Sequence, residues 1–280
     1  MSLNPRPTRS EQREAARAKA RALREQRAKG DKRKRFLVTT SVTLAIIGVV
    51  AGVAWVIFTY SQEAINNGEN AKKVPANVTS LGGVLVGKNL QLVTPAEAAK
   101  TNHIVIYQDY QCPICKLFED PNSAQMRTWA DKGLAVIEYH PISFLDGQSL
   151  NNYSSRAANA AFCVANSQPN KFFDVNNALY ANQPQENTSG PTDSQIKDTL
   201  KSAGVVISSE INQCIDQKRY SNFIGNKTNE AFNQNAVTGD TIPGGTPHIL
   251  VNGVQYTWND VLADLPNPGR FAQFFDLQKK

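Results

Sequence analysis

Two cysteines separated by two residues, Cys112 and Cys115, are the residues of this sequence best suited to do chemistry. An apolar run from His103 to Tyr107 precedes them, and a helix-compatible segment starts at Cys112. A helix N-terminus stabilises a thiolate, the nucleophilic form of cysteine, through its unpaired N–H groups and its dipole. Pro113 suits a first helical turn because no N–H partner is available there. The spacing predicts a redox pair in which Cys112 exchanges with substrate and Cys115 resolves the mixed disulfide.

Two rival interpretations of this pair fit the sequence less well. An inert structural disulfide with a two-residue spacer would close too small a loop to restrict the unfolded chain. A zinc site would prefer two closely spaced ligand pairs, whereas Cys163 and Cys214 stand alone and the three histidines form no ligand pattern with them. We therefore expect neither a metal nor a cofactor.

The remaining two of the four cysteines, Cys163 and Cys214, lie in a region of helical periodicity. An even cysteine count suits an oxidising compartment, and parity and placement favour a structural disulfide between them. Such a bond would close a loop of about fifty residues and stabilise the fold by on the order of 4 kcal/mol in the chain-entropy model. A second electron-relay pair is the alternative.

The positive charge of the chain is concentrated in its N-terminal tail. Residues 1–35 hold 13 Lys/Arg against 4 Asp/Glu, a net charge of +9, so the remainder of this +6 chain carries −3. A basic tail before a mildly acidic body argues against a nucleic-acid-binding domain, although an RNA-binding arm is an alternative for the tail itself. We interpret residues 1–35 as a cytoplasmic tail.

A stretch without charged residues, Phe36 to Tyr60, follows the tail. As a helix it would reach about 37 Å, enough to cross a hydrocarbon core of about 30 Å. The basic cluster at residues 32–35 predicts a cytoplasmic N-terminus by the positive-inside rule. A cleaved signal peptide is the alternative, but its apolar core would be shorter. We predict a single-pass anchor, a linker over residues 61–76 and an extracytoplasmic domain over residues 77–280.

Within that domain, strand and helix patterns alternate. A helical segment should run from residue 112 to about residue 132, with Pro121 kinking or interrupting it. Asn252-Gly253 between two strand-like runs predicts a hairpin, and residues 150–235 read as a mostly helical insert. The strands are expected at Gly83–Val86, His103–Tyr107, Leu134–Tyr139, Pro247–Val251 and Val254–Trp258, and the last helix at Arg270–Leu277. The order predicts an α/β domain with a mixed sheet and helices on both faces.

Two motifs in this order resemble one family. They are Tyr107-x-Asp109-Tyr110-x-Cys112-Pro-x-Cys115-x-x-Phe118 and Gly245-Thr246-Pro247-x-x-x-Val251-Asn252-Gly253, with the helical insert between them. Over about residues 80–277 the chain resembles the DsbA-type branch of the thioredoxin superfamily and, more narrowly, its membrane-anchored actinobacterial members. The resemblance implies a thioredoxin-like fold. Those members commonly carry a second disulfide in the helical region, which agrees with a Cys163–Cys214 bond.

The resemblance also implies roles for residues outside the cysteine pair. Pro247 would be the cis-proline that lies against the active-site disulfide, and Thr246 would offer backbone hydrogen bonds to an extended substrate. Asp109 matches a recurrent acidic position just before the motif. It would either manage protons for Cys115 or serve as a solvated or capping carboxylate.

The function implied by the resemblance is thiol:disulfide exchange outside the membrane. The Cys112–Cys115 disulfide is expected to oxidise cysteines of exported proteins, and an integral-membrane, quinone-linked enzyme is expected to reoxidise it. The dipeptide Pro113-Ile114 lacks the histidine of the strongly oxidising periplasmic DsbA, so a reductase or isomerase with the same residues is the first alternative. A non-catalytic, membrane-tethered binding module is an alternative of another class, and the retained cysteine pair argues against it.

Overall fold

The computed structural model describes residues 73–233, 242, 245–257 and 264–280. The predicted tail, the predicted membrane segment and most of the linker lie outside these residues. None of the helices in the described ranges is long and apolar enough to cross a membrane.

A mixed five-stranded sheet organises the described residues, with the strand order β1-β3-β2-β4-β5. β2 and β3 are parallel, and the other neighbouring pairs are antiparallel. The parallel pair is joined through the helix that follows the cysteine motif, as a parallel connection requires. The strands are β1 Val84–Val86, β2 Asn102–Gln108, β3 Ala135–Pro141, β4 His248–Val251 and β5 Val254–Gln255.

Helices cover both faces of this sheet. Between β3 and β4 the described residues form five α-helices, which together make up the predicted helical insert. The helices are α1 Pro95–Ala98, α2 Pro113–Asp131, α3 Tyr153–Ser167, α4 Phe172–Ala181, α5 Asp193–Ser202, α6 Ser209–Asp216, α7 Ser221–Phe232 and α8 Pro268–Leu277. Single 3-10 turns occur at Lys88–Leu90, Asp146–Gln148 and Pro169–Lys171.

The main hydrophobic core lies on one face of the sheet. Alternate residues of β2 and β3, such as Ile104, Ile106 and Ile137, point toward it. Helices α2, α8 and the insert pack on this face, and Phe118 and Phe271 meet there edge to face at 5.0 Å. Smaller clusters on the opposite face involve α1 and α7. Burial on both faces explains why β2 and β3 are apolar along most of their length.

Helix α2 differs from the sequence-based expectation at Pro121. The sequence predicts a kink or an interruption at this proline. The helix continues from Pro113 to Asp131 through it, so the interruption is wrong, and the kink stays a prediction. A proline inside a helix costs about 3 kcal/mol because it lacks an N–H and crowds the preceding turn. Phe118 before it and Met126 after it are both buried in the main core, and this packing on the two sides offsets the cost.

The edges of two strands also differ from expectation. β3 runs on through His140 and Pro141, where the sequence suggested its end. Proline is tolerated there because β1 pairs with β3 only as far as Tyr139, which leaves one side of the strand unpaired. β5 ends at Gln255, although the N–H of Tyr256 still donates to the carbonyl of Ile249 in β4 at 2.9 Å.

The predicted hairpin between β4 and β5 is confirmed. Asn252 and Gly253 both have positive φ angles, 51° and 85°, as a two-residue turn that matches strand twist requires. The Asn252 carboxamide also accepts a hydrogen bond from the backbone N–H of His103 at 2.9 Å. The turn therefore anchors β4 against β2 and places the residues before β4 at the end of the sheet where β2 delivers the cysteines.

Candidate active site

Cys112 occupies the N-cap position of α2, directly after the turn that leaves β2. Its backbone N–H donates to the carbonyl oxygen of Asp109 at 3.0 Å, and its own carbonyl accepts from the Gln183 side chain at 2.9 Å. Its Sγ accepts a hydrogen bond from the backbone N–H of Cys115 at 3.4 Å. The sulfur thus takes the place that a serine or aspartate oxygen takes at other helix starts.

The surroundings of Cys112 favour its thiolate. A hydrogen bond from the Cys115 thiol lowers the pKa of Cys112 to about 7, and the neighbouring Thr246 and the Cys115 N–H act in the same direction. Burial opposes them, since the residue is only 5% exposed. A thiol with a pKa near 7 is substantially ionised at neutral pH, which suits nucleophilic attack and departure.

Cys115 lies one turn further along α2 and differs sharply from its neighbour. It is 2% exposed, and burial raises its pKa well above the usual value for cysteine. Both cysteines are free thiols in this structure. The arrangement gives one reactive and one withheld sulfur, as a nucleophile and a resolving cysteine require.

The loop before β4 forms the other wall of the site. The peptide bond between Thr246 and Pro247 is cis, and the Thr246 carbonyl oxygen accepts a hydrogen bond from the Cys112 thiol at 3.3 Å. Gly245, with φ of +103°, supplies the left-handed conformation that leads into this loop. The hydroxyl of Thr246 is buried and has no hydrogen-bond partner within the described part of the chain. Thr246, which the family resemblance predicted at the site, therefore contacts Cys112, and the cis bond places Pro247 directly after it in the chain.

Asp109 is fully buried three residues before Cys112. One carboxylate oxygen accepts from the backbone N–H of Gln111 and the other from that of Leu145, both at 2.8 Å. Burial raises the pKa of Asp109 to about 6, although the nearby Ser154 hydroxyl and the hydrogen bonds from the two backbone N–H groups act against it. The carboxylate is therefore engaged with backbone donors on two segments of the chain.

A buried polar network lies beneath the cysteines. The Asn176 side chain donates to Glu119 Oε1 at 2.7 Å and accepts hydrogen bonds from Gln108 and from the hydroxyl of Tyr110. Burial raises the pKa of Glu119 to about 8, and the nearby charge of Asp120 adds to the effect. Glu119 thus holds its proton at neutral pH, one helical turn beyond Cys115.

A third buried carboxylate lies on the opposite face of the sheet. Glu138 contacts His103 Nε2 at 2.9 Å and His140 Nε2 at 3.1 Å, and it accepts a hydrogen bond from the hydroxyl of Thr79 at 2.7 Å. Burial alone would raise its pKa, but these three partners hold the pKa of Glu138 well below its usual range. Within the ranges that the structure describes, no cluster of His, Cys, Asp and Glu has the arrangement of a metal site.

Cys163 and Cys214 are joined in a disulfide bond between α3 and α6, with Cα atoms 5.9 Å apart. Both residues are buried in the main core. The amide side chain of Asn159 donates to the Cys214 carbonyl at 3.3 Å and accepts from the backbone N–H of Tyr220 at 2.8 Å, which ties α3 to the end of α6. This pair therefore links two helices of the insert.

Sequence reasoning missed several residues that the structure brings to the site. Glu119 could have been found, because it follows Cys115 by four residues and so shares its helix face. Asn176 and Gln183 come from the insert and carried no local signal. Phe144, 48% exposed beside Gly245, lies in a loop that the sequence left unassigned.

Comparison with known proteins agrees with this geometry. The family described as Thioredoxin matches residues 92–267. Among solved structures, the disulfide bond oxidoreductase DsbG of Mycobacterium tuberculosis in its reduced form is 26% identical, with a TM-score of 0.56, over 70% of this chain and 86% of that chain. DsbA of the same organism, at 24% identity and a TM-score of 0.55, matches in fold over 70% of this chain and 92% of its own.

A curated relative matches a shorter region. The serine/threonine-protein kinase PknE of Mycobacterium tuberculosis is 36% identical over 128 residues, which is 44% of this chain and 21% of the kinase. The chain therefore spans about a fifth of the length of that relative.

Proposed function

This chain belongs to the thioredoxin family and is a DsbA-like thiol:disulfide oxidoreductase, and from that premise we propose that it oxidises cysteines of exported proteins while tethered to the membrane. The observation that carries the exchange chemistry is the placement of Cys112 at the N-cap of α2, against the Thr246 carbonyl and one helical turn before Cys115. We assign the oxidising direction from the expected position of the domain outside the membrane, where disulfides form and persist.

In the proposed reaction, a substrate thiolate attacks Cys112 Sγ of the Cys112–Cys115 disulfide. The bond between the two protein sulfurs breaks, and Cys115 leaves with the electron pair and takes up a proton. A second substrate thiolate then attacks the substrate sulfur of the mixed disulfide and expels Cys112 as a thiolate. The substrate gains a disulfide, and the enzyme holds the two electrons as a dithiol.

The geometry assigns complementary roles in these steps. Cys112 is the better leaving group because of its pKa near 7, so release of oxidised substrate is favoured. Cys115 can instead attack Cys112 and release an unproductive substrate, which makes it the resolving cysteine. We assign the Thr246 backbone to the binding of an extended substrate, and Pro247 to the wall that presents the substrate sulfur to Cys112.

Location and partner complete the proposal. The charge-free segment at residues 36–60, with basic residues before it, supports a single-pass anchor with the cysteine pair outside the cell membrane. To turn over, the enzyme must pass two electrons to an acceptor. We assign reoxidation to an integral-membrane, quinone-linked enzyme, since the anchor would hold both proteins in one bilayer.

Two measurements in cells test this proposal. In a Cys115→Ala variant, the Cys112 thiolate can still attack the disulfide of an oxidised exported protein, which breaks that bond and forms a mixed disulfide. Such adducts should accumulate, because Cys115 is no longer present to attack Cys112 and release the substrate. Alkylation of intact cells should find the wild-type pair mainly oxidised. A Cys163→Ala/Cys214→Ala variant is the control for changes away from the site. Absence of Cys112 adducts would exclude exchange with exported proteins, and a mainly reduced resting pair would assign the protein to reduction or isomerisation.

A further inference from the structure

We propose that Asp109 is a positioning residue that fastens the β3–α3 loop to the active-site turn, and that it thereby places Phe144 as a specificity-determining contact for the substrate. The active-site turn is residues 109–112, and the β3–α3 loop is residues 142–152. The inference rests on the proposed function in one respect, namely that Cys112 reacts with cysteines of other polypeptides.

The contacts of Asp109 span the two segments. Its Oδ1 accepts from the N–H of Gln111 within the active-site turn, and its Oδ2 accepts from the N–H of Leu145, 36 residues further along. Both bonds measure 2.8 Å, and the side chain is completely buried. A carboxylate has acceptor sites on both oxygens, so one side chain can bind two N–H donors that face each other.

Further bonds attach the loop on either side of Leu145. The Gln111 side chain donates to the carbonyl of Gln148 at 3.0 Å, and the N–H of Ile142 donates to the carbonyl of Gln108, the last residue of β2, at 2.9 Å. These bonds hold the loop at its first residue and at its 3-10 turn. The Asp109 bond holds it between these two points, at the residue directly after Phe144.

Phe144 lies beside Gly245, the residue that precedes Thr246. Its ring stacks on Phe232 with centroids 4.7 Å apart, and a Cβ atom placed on Gly245 would lie 4.0 Å from Phe144 Cε1. The next residue, Thr246, contacts Cys112 through its carbonyl. The aromatic ring is therefore continuous with the surface that surrounds the nucleophile.

The occupant of this surface is the substrate itself, a polypeptide with an apolar residue next to its cysteine. The side chain of Phe144 is 48% exposed. When an apolar side chain covers an aromatic ring, both surfaces release water and binding becomes more favourable, a contribution that a polar side chain does not provide. Aromatic residues at the centre of contact surfaces commonly contribute most of the binding energy. Because Phe144 adjoins the loop that touches Cys112, a side chain flanking the substrate cysteine is the group within reach.

The test uses the full-length chain in detergent, reduced and carrying Cys115→Ala. Two peptides that differ only in Leu or Ser beside their cysteine are each activated as a mixed disulfide with thionitrobenzoate. Attack by the Cys112 thiolate on the peptide sulfur forms the Cys112–peptide disulfide, breaks the existing S–S bond and releases coloured thionitrobenzoate, which keeps the electron pair. Rates at low peptide concentration and the mass of the adduct are measured.

We expect the Cys115→Ala protein to prefer the Leu peptide. Adding Phe144→Ala should lower the rate of exchange with the Leu peptide about tenfold and leave the rate with the Ser peptide within about twofold of its value in the Cys115→Ala protein. Adding Asp109→Asn should reduce the preference by about three- to tenfold, because an amide has one acceptor oxygen and turns N–H groups toward one of the two donors. Asp146→Asn is the matched control, since Asp146 lies in the same loop but accepts from the N–H of Ser155 at 2.9 Å.

The inference would be overturned if the Cys115→Ala protein showed no preference for the Leu peptide, or if that preference were retained with both Phe144→Ala and Asp109→Asn. It would also be overturned if Asp109→Asn slowed both peptides equally, because the carboxylate would then act on the reactivity of Cys112. An effect of Asp146→Asn equal to that of Asp109→Asn would overturn it as well. If Asp109→Asn does not fold, Phe232→Ala, which removes the ring beneath Phe144, must reduce the preference instead. The exchange runs without turnover, so its result is independent of the direction of electron flow and of the cellular tests above.

Discussion

The two cysteine pairs of this protein are similarly buried but differ in their position on helices. Cys112 and Cys115 are 5% and 2% exposed, and Cys163 and Cys214 are 0% and 2% exposed. The first pair shares one helix N-terminus and meets backbone N–H groups and a carbonyl. The second joins the interior of α3 to the last turn of α6. Burial therefore does not distinguish the two free thiols from the two disulfide-bonded cysteines here; their positions on helices do.

The helices around the second pair explain how it can bond across elements. Helix α3 carries Ala157, Ala158, Ala160 and Ala161 on its buried surfaces. Such small side chains let neighbouring helices approach, and a Cα separation of 5.9 Å is within the range that a disulfide needs. The active-site pair needs no such approach, because its two cysteines already lie one helical turn apart.

The largest expected effect concerns the nucleophile. Cys112→Ser should reduce thiol exchange at least a thousandfold, equivalent to about 4 kcal/mol of activation free energy, because a hydroxyl is neither ionised at neutral pH nor able to form a disulfide. Rates with a peptide activated as a mixed disulfide with thionitrobenzoate measure this, and Cys115→Ala, whose Cys112 thiolate still attacks such a disulfide and releases thionitrobenzoate, is the comparison. Residual exchange within tenfold of wild type would mean that another sulfur reacts.

Removing the other pair should affect stability and leave exchange intact. Cys163→Ala/Cys214→Ala opens a loop with a sequence separation of 51 residues and should lower the free energy of unfolding by on the order of 4 kcal/mol. Denaturant unfolding measures the loss. Exchange by the folded variant should stay within about threefold of wild type. A loss of exchange under conditions where the variant is folded would instead favour an electron-relay role for this pair.

A smaller effect concerns Glu119, the buried acid one turn beyond Cys115. Because its pKa is raised to about 8 in the folded protein, the folded state binds more protons than the unfolded state between pH 4.5 and 8. The free energy of unfolding must therefore fall as pH rises through this window, by up to about 4 kcal/mol from this group. Glu119→Gln should remove that slope, so that its stability relative to wild type increases from pH 5 to pH 8. A difference between the two proteins that does not vary with pH would contradict this.

The smallest effect concerns the coupling within the active pair. Alkylation of Cys112 by iodoacetamide should rise with pH with a midpoint near 7, while Cys115 stays unreactive. In Cys115→Ala the midpoint should move upward, because the hydrogen bond from the Cys115 thiol is the largest contribution to the lowered pKa. The pH profile of alkylation, read by mass spectrometry, measures the shift. An unchanged midpoint would assign the stabilisation to the helix N-terminus and Thr246 instead.

The elements of the fold could be predicted where a short pattern determines them. The strand before Cys112, the helix after it and the Asn252-Gly253 hairpin each follow from periodicity or turn chemistry within about ten residues. Pro121 inside α2 and Pro141 inside β3 were misjudged for a common reason. At Pro121, packing on the two sides of the residue overrides the helix-breaking propensity of proline, and at Pro141 the unpaired side of the strand tolerates it. Both conditions depend on neighbours elsewhere in the chain.

The sequence by itself determined the thiol groups, two at a helix start and two more in a helical region. It also determined the charge-free segment before the domain. Only the tertiary structure decided what surrounds those groups. Thr246 reaches Cys112 across 134 residues, Asn176 reaches Glu119 across 57, and Leu145 reaches Asp109 across 36. Spacing within one element fixes which side chains share a face, but the partners from other elements follow from strand register and helix packing. Because burial by those other elements raises the pKa of Asp109, Cys115 and Glu119, and because their packing shapes the site, the chemistry became specific only in the folded chain.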